Sequence, residues 1–250
     1  MAHNQRNFWT NIWIIRLSVV SVSLLATWFV YLVVAIFLLG LVGYGQTSWI
    51  PFATFELHSS NRFVRQIAAQ ALGTIGPKAA STVPELIASL QHDTWNVAAD
   101  SACALGNILA RNANGGKEPD PNAIAALIQA LNHSNGEVRR YAAYAISLIG
   151  PQAAAATPRL TQLLSDPHMG STAAEALGEM GVAGQSAIQP MTALLSDPDW
   201  SVKLETILAL SRLGPLPDKT ISAIRNCRSD SDEHVRDAAK SVLAILDATQ

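Results

Sequence analysis

Charged side chains are scarce in this sequence. Only 14% of its 250 residues are Asp, Glu, Lys or Arg, against a usual share of about 25%. Setting aside Arg6 and Arg16, which flank an apolar N-terminal segment, leaves 15 of the 17 basic residues against 19 acidic ones, a formal charge of −4. Binding to nucleic-acid phosphates needs an excess of Lys and Arg. We therefore expect no nucleic-acid binding.

The usual signatures of catalysis are also lacking. The sequence contains no Gly-x-Ser-x-Gly elbow and no paired Cys and His placement that would activate a nucleophile. The glycines of Asn114-Gly115-Gly116-Lys117 lack the spacing of a phosphate-binding loop. We predict no catalytic residue, no cofactor, no metal and no small-molecule substrate.

One long apolar segment accounts for much of the scarcity of charged residues. Residues 17–42 contain 26 residues and no charged side chain. As a helix this run would extend about 39 Å, more than the roughly 30 Å of a bilayer core. Aromatic residues suited to the membrane interface stand on both sides: Trp9, Trp13, Tyr44 and Trp49. We predict an N-terminal flank over 1–16, one transmembrane helix over 17–45, and lipid contact through 17–42.

Two alternatives concern this segment. A cleaved signal peptide has an apolar stretch of only about 7–15 residues, although Gly43-Tyr44-Gly45 resembles a small-x-small cleavage site. The other concerns orientation, because Arg6 and Arg16 precede the run and no Lys or Arg follows it until Arg62. The positive-inside rule then places the N-terminus in the cytoplasm and the rest of the chain across the membrane, in the periplasm or a lumen.

A repeat begins after the apolar run. The segments Val64–Gly76 and Val138–Gly150 align residue by residue, with apolar side chains at helical spacing. Position 0 of each copy is Val64, Val97, Val138, Met169, Val202 or Val235. One interval is longer because of an insertion over 111–122, rich in Asn, Gly and Pro and predicted to be a loop. First helices are predicted to start near residues 62, 95, 136, 168, 200 and 232.

Each copy also carries a second, shorter apolar segment. It begins near a proline, as at Pro84, Pro158 and Pro190, which suits the first turn of a helix. Glycines stand where the first helix should end: Gly76, Gly150, Gly181 and Gly214. The pattern extends back to Trp49, so the repeats cover 49–250. The predicted fold is all-α, a right-handed α-solenoid of about six helix pairs behind one transmembrane helix.

The consensus Val-Arg-x-x-Ala-Ala-x-Ala-Leu-Gly-x-Ile-Gly, preceded by Leu-x-Asp-Pro, resembles the HEAT-like repeats of the phycobilin-lyase type. That resemblance implies stacked helical hairpins and a bacterial, cyanobacterial-like source. It covers lyase subunits that attach bilins to phycobiliproteins, deoxyhypusine hydroxylase, and many scaffolds without catalytic activity. The hydroxylase takes its iron ligands from His-Glu dipeptides, and this chain has none. Lyase subunits of this type are soluble, so a membrane anchor departs from their pattern.

Two sets of residues are candidates for special roles. The first is an intramolecular ladder between repeats, in which a basic residue after position 0 binds an acid or carbonyl of the adjacent turn. Its members are Arg65, Arg139, Lys203 and Arg236, with Asp93, Asp166, Asp197 and Asp230. A charge row that binds a partner is the alternative. The second set is a partner contact made by Trp95, Trp200, Arg140, Tyr141 and Tyr144, since exposed aromatic and Arg side chains are common interface hot spots; Trp95 and Trp200 fit equally well as packing over a turn.

His and Cys have simpler interpretations. His92 and His133 occupy equivalent turns, but no third or fourth metal ligand stands near them. Cys103 and Cys227 fall four repeats apart, too far for a disulfide. We expect exposed turn histidines and two semi-buried thiols.

The sequence as a whole favours a membrane-anchored scaffold for protein–protein interaction. We expect its partner to be membrane-associated as well. Two other functions remain open. One is a lyase-like subunit that attaches a bilin to phycobiliproteins. The other is an assembly factor for a membrane complex.

Overall fold

The computed structural model describes residues 46–110 and 118–248, and all regular structure in these two ranges is helical. Two compact units divide the chain, Met1–Trp49 and Ile50–Gln250. Of the first, only a 3₁₀ turn at Gln46–Trp49 is described. The predicted transmembrane helix over 17–45 lies outside the described residues. Within the described ranges, no helix is both long and apolar enough to cross a bilayer.

The second unit is built from two kinds of helix. Second helices, the shorter kind, are α1 Ile50–Glu56, α3 Val83–His92, α5 Pro121–Ala130, α7 Thr157–Leu163, α9 Ile188–Leu194 and α11 Asp218–Asn226. First helices are α2 Arg62–Ile75, α4 Trp95–Leu109, α6 Gly136–Ile149, α8 Gly170–Glu179, α10 Trp200–Arg212 and α12 Glu233–Ala248. The two kinds alternate along the chain and successive first helices pack together. The prediction of an all-helical repeat solenoid is confirmed, and its handedness stays a prediction.

Side-chain caps start most first helices. Asn61 accepts a hydrogen bond from the Phe63 amide at 3.0 Å, and Asn135 accepts one from Glu137 at 2.8 Å. Asp199 caps α10 in the same way through the Ser201 amide, at 2.8 Å. Each cap supplies an acceptor to an amide that has no partner within the helix, and such a cap typically contributes about 1 kcal/mol.

Glycine ends the first helices where the sequence indicates a stop. Gly76 and Gly150 have φ values of 66° and 71°, a left-handed conformation that disfavours any side chain. Their amides donate to Leu72 and Ile146, closing the last turn. A 3₁₀ segment follows in each case, Gly76–Thr82 and Gly150–Ala156, and leads into the second helix.

The predicted insertion is shorter on its C-terminal side. The sequence places it over 111–122, but α5 already begins at Pro121. Asp120 caps that helix by accepting from the Asn122 amide at 2.9 Å. Proline at the first helical position costs no hydrogen bond, so Pro121 starts a helix here rather than belonging to a loop.

Small residues bring successive first helices close together. A Cβ on Gly106 would lie 2.6 Å from the Ala145 Cα of the next repeat, and one on Gly178 would lie 2.7 Å from the Ala209 Cα. Between these contacts, position 8 fills the core with large side chains, all of them buried: Leu72, Leu105, Ile146, Leu177, Leu210 and Leu243. Burial of each contributes about 1.5–3 kcal/mol. The first helices therefore form a tightly stacked layer with one side open to solvent.

Candidate partner-binding surface

The same positions of each repeat face the open side of this layer. They are positions −1, 3, 6 and 10 of each repeat, which fall on one helical face because they are spaced three or four residues apart. In α6 these positions are Glu137, Tyr141, Tyr144 and Leu148, none of which is buried. We call the surface made by these positions the first-helix face.

A cluster in the third repeat combines aromatic rings with a cation. The Arg140 guanidinium lies 4.8 Å from the centre of the Tyr141 ring, a cation–π distance, and Arg140 also pairs with Glu137. Tyr144 lies one turn further along α6 with 42% of its surface exposed. The structure thus places three of the five residues proposed for partner contact side by side.

Carboxylates follow on the next two first helices. Glu175 and Glu179 of α8 face Glu205 and Arg212 of α10, with Arg212 Nη1 3.3 Å from Glu179 Oε1. Desolvation by the surrounding helices raises the pKa of Glu175, and the charges of Glu205 and Glu179 raise it further. Arg212 pairs with Glu179 and attracts Glu175, whereas Glu205 adds a third carboxylate, so this part of the first-helix face is negatively charged. The sequence analysis did not single out these residues. Their positions in the repeat, 6 and 10 for Glu175 and Glu179 and 3 for Glu205, place all three on the first-helix face.

The two tryptophans lie elsewhere. Trp95 begins α4 and Trp200 begins α10, three repeats apart, so they do not form one site. Both are partly exposed, at 47% and 44%. The Trp200 ring packs at 5.2 Å, centre to centre, against the His234 ring of the next repeat. Trp200 therefore contacts a neighbouring repeat and also presents surface to solvent.

Basic residues after position 0 donate hydrogen bonds to an acid of the next repeat at two places. Arg65 donates two hydrogen bonds to Asp93, from Nε to Oδ2 at 2.6 Å and from Nη2 to Oδ1 at 2.7 Å. Lys203 Nζ donates to Asp230 Oδ2 at 2.5 Å, and both side chains are largely buried. Such pairs fix the spacing between turns, because their donors and acceptors would be costly to leave unpaired.

Hydrogen bonding shifts the pKa of both acids. Burial of Asp93 opposes its charge, but hydrogen bonds from Arg65 and the Thr94 amide outweigh burial and hold the pKa below its usual range. For Asp230 the bond from the Asp232 amide is the largest cause of a lowered pKa, and the bond from Lys203 comes next. Both acids are therefore held in the charged form.

The other members of the set behave differently. Arg139 Nη1 donates to the His133 and Ser134 carbonyls, and its Nη2 lies 3.9 Å from Asp166 Oδ2. Arg236 Nη1 likewise donates to two carbonyls, those of Asp230 and Ser231, both at 2.8 Å.

Asp197 has no basic partner among the described residues, because the preceding repeat carries no basic residue at position 1. Position 1 of the preceding copy is Gly170, which has no side chain to reach it. Asp197 Oδ1 instead accepts from the Asp199 amide at 2.8 Å. Its role in the described structure is to shape the turn before α10.

A polar group occupies the second repeat of the first-helix face. Burial raises the pKa of Asp100, while hydrogen bonds from Gln66 and Gln70 act in the opposite direction. Burial also raises the pKa of the neighbouring Cys103 thiol, with a further contribution from the Asp100 charge. A raised pKa keeps the thiol protonated and weakly nucleophilic. Cys103 and Cys227 are both free.

The predicted turn histidines make local contacts. His92 ends α3, and His133 Nδ1 accepts from the Asn135 amide at 3.0 Å. Over residues 46–110 and 118–248, no group of three or more His, Cys, Asp or Glu side chains is placed to hold a metal ion.

Comparison with known proteins agrees with this architecture. A family model described as HEAT repeats matches residues 124–189 and 157–244. No curated protein matches the sequence. Among solved structures, the archaeal HEAT-like repeats protein from Thermococcus onnurineus NA1 is similar with a TM-score of 0.58 and 14% identity, over 86% of this chain and 92% of that one.

Two further solved structures are similar. One is the complex of CpcE and CpcF of phycocyanin lyase from Nostoc sp. PCC7120, with a TM-score of 0.56 and 24% identity over 77% of this chain and 75% of that one. The other is a designed armadillo repeat protein in complex with the peptide (KR)4, with a TM-score of 0.62 and 18% identity over 78% and 98%. At identities below 25% these likenesses establish the fold alone, a helical-repeat solenoid whose residues 124–244 match HEAT repeats.

Proposed function

We propose that this chain is a single-pass membrane scaffold whose repeats bind a protein partner on the first-helix face and carry out no catalysis. The observation that carries the proposal is the continuous open face, with Arg140, Tyr141 and Tyr144 next to the carboxylates of α8 and α10. Exposed Tyr and Arg side chains are frequent hot spots of interfaces. A helical-repeat layer supplies the extended surface they need.

Charge indicates which partner fits. The charges of Glu205 and Glu179 repel that of Glu175, and Arg212 acts in the opposite direction, so a Lys or Arg of the partner would relieve the remaining repulsion. The two tyrosine rings offer it an adjoining surface for cation–π contact. The designed armadillo repeat protein of similar fold is in complex with the peptide (KR)4. We infer that the partner presents an extended segment with basic residues.

The anchor is proposed from the sequence. The uncharged run over 17–42 is long enough to cross a bilayer, and the flanking arginines favour a cytoplasmic N-terminus with the repeats in the periplasm or a lumen. Confinement to a membrane raises the effective concentration of a membrane-associated partner, so modest affinity suffices. Protease added to sealed vesicles of known sidedness tests the orientation, because it should digest the repeats only from the side on which they lie.

Affinity capture from solubilised membranes tests partner binding. The tagged full chain should retain a defined protein, and Tyr144→Ala together with Glu175→Gln should reduce its recovery. Trp95→Ala and Trp200→Ala test the two tryptophans as separate contacts. Val182→Ala is the matched control, because Val182 is exposed at 75% and lies in the 3₁₀ segment Gly181–Ala187, away from the first-helix face. Equal recovery with all variants would refute the first-helix face as the binding surface.

A second candidate function is a lyase-like subunit, favoured by the structural likeness to the phycocyanin lyase complex. Co-expression of this chain with a bilin and an acceptor phycobiliprotein tests it. A covalent adduct that fluoresces with zinc would establish lyase activity and displace the scaffold proposal. An assembly factor for a membrane complex would use the same face, but its partner would be retained only in partly assembled complexes.

A further inference from the structure

The first repeat exposes large apolar side chains where the later repeats do not. Phe55 of α1 is 74% exposed. Counted from the buried Leu that closes each second helix, the same position is also exposed in the four following second helices. It carries Ala88, Gln129, Gln162 and Ala193 there.

The first helix of the same repeat shows the same departure. Phe63 is 58% exposed at position −1. That position carries Asn96, Glu137, His168, Ser201 and His234 in the later repeats. One turn further along α2, Ile67 is also exposed. The first repeat alone therefore replaces small or polar surface residues with large apolar ones at successive sites.

These side chains lie at one end of the helix pair. Phe55 stands at the end of α1 and Phe63 at the start of α2, so both flank the connecting turn over 57–61. Trp95, at the start of α4, occupies the corresponding end of the next first helix. We call Phe55, Phe63 and Trp95 the apolar edge. The Arg62 guanidinium lies 4.8 Å from the centre of the Phe63 ring, beside this edge.

The opposite end of the solenoid is built differently. The last helix, α12, exposes Asp237, Lys240 and Ser241 together with one large apolar side chain, Ile245, and Lys240 pairs with Asp237 at 2.8 Å. A polar outer surface is what the terminal repeat of a solenoid needs in water. The apolar edge at the other end lacks it, which indicates that this end meets something other than water.

The position of the edge in the chain indicates what it meets. The uncharged run ends at residue 42, and only residues 43–49 separate it from α1. Seven residues span at most about 25 Å when fully extended. If the run crosses a bilayer, the first repeat is held within that distance of the membrane surface. Phe and Trp with a neighbouring Arg form the combination that binds the head-group region of a bilayer.

We propose that the apolar edge rests in the head-group region of the bilayer, with Phe55 and Phe63 inserted and Arg62 beside the lipid phosphates. This inference rests on the proposed membrane anchor. It gives the solenoid a second attachment to the membrane. Because Phe63 holds position −1, lipid would cover the first-repeat end of the first-helix face and leave the part on α6, α8 and α10 open to the partner in a defined orientation.

Depth-dependent fluorescence quenching tests the proposal with the full chain in liposomes. Phe55→Cys carries an NBD label in a Cys103→Ala background, and Cys227, which is buried, is left in place. The same background without the substitution measures residual labelling of Cys227. Val182→Cys is the matched control, since Val182 is equally exposed but lies in the fourth repeat. Circular dichroism establishes that each variant keeps its helical content.

The proposal predicts that lipids with a nitroxide near the head group quench the emission of label 55, because its side chain lies in the interface, and leave the emission of label 182 unchanged. If the chain floats with the liposomes but nitroxide lipids quench neither label, or quench both equally, the proposed lipid contact of the apolar edge is refuted while the anchor stands. A blue-shifted label 55 that nitroxide lipids do not quench would also overturn it, because protein would then cover the edge. A chain that does not float with liposomes would refute the anchor and the inference together.

Discussion

The close packing of first helices makes an unusual prediction for Gly106→Ala. Within a helix this change normally stabilises a protein by about 1 kcal/mol, because glycine is the more flexible residue. Here the added Cβ would lie 2.6 Å from the Ala145 Cα and 2.8 Å from the Ala145 Cβ. Backbone atoms cannot turn aside as a side chain can, so α4 and α6 must move apart.

The expected cost follows from overpacking. Extra methyl groups forced into a packed core typically cost about 1–3 kcal/mol, and the normal gain from alanine offsets part of this. Because the clash is with backbone atoms, we take the upper part of that range, about 2–3 kcal/mol, and subtract the gain of about 1 kcal/mol. The expected net loss is about 1–2 kcal/mol in the free energy of unfolding, which in a protein of this size lowers the thermal midpoint by about 2–8 °C. Circular dichroism at 222 nm during heating measures this shift.

Gly136→Ala is the matched control. Gly136 is the first residue of α6, and its added Cβ would meet only the Arg139 Nη2, at 3.7 Å. We expect an unchanged or slightly higher midpoint for this variant. If Gly106→Ala were as stable as Gly136→Ala or more so, the close approach of α4 and α6 would be refuted.

Three further predictions concern single side chains. Ser101 Oγ is buried without a hydrogen-bond partner at position 4, where four other repeats carry alanine, so Ser101→Ala should raise the free energy of unfolding by about 1 kcal/mol in thermal melts; a lower midpoint would contradict this. Asp93→Asn should lower the thermal midpoint at pH 7, and the midpoint of this variant should fall less than that of the unmodified chain on going to acid pH. The folded-state pKa of Asp93 lies below its unfolded value, so its contribution is present above about pH 4 and disappears as the pH falls through the folded pKa; an unchanged acid profile would contradict this. Glu175→Gln should raise the midpoint at pH 7, because the folded-state pKa of Glu175 is raised and its charge opposes folding. The gain should shrink as the pH falls and vanish below about pH 4, where both states become protonated; a gain that persists there would exclude this cause.

Helix periodicity and glycine stops could be predicted from the sequence because each depends on a local rule. A repeated pattern of apolar side chains predicts stacked helices, and glycines such as Gly76 and Gly150 mark their ends by a backbone conformation that few other residues adopt. The 3₁₀ segments were not predicted. Ala79 and Ala153 have non-helical backbone angles inside alanine-rich segments, and alanine by itself favours an α-helix.

The negatively charged part of the first-helix face shows where sequence reasoning falls short. Glu175, Glu179 and Glu205 each look like ordinary surface residues within their own repeats. Only the stacking of α8 on α10 brings them together around Arg212. Asp197 illustrates the reverse case, because a shared position in the repeat suggested a basic partner, whereas Gly170 stands where that partner would be.

Site-specific photo-crosslinking from position 144 tests the central claim most directly. A photoreactive phenylalanine analogue replaces Tyr144 in the full chain, or Val182 in the control, and membranes are irradiated before solubilisation. The scaffold account predicts one discrete crosslinked partner from position 144, in the membrane fraction, and none from position 182. Identical products from both positions, or a crosslinked chain recovered only outside the membrane fraction, would contradict it.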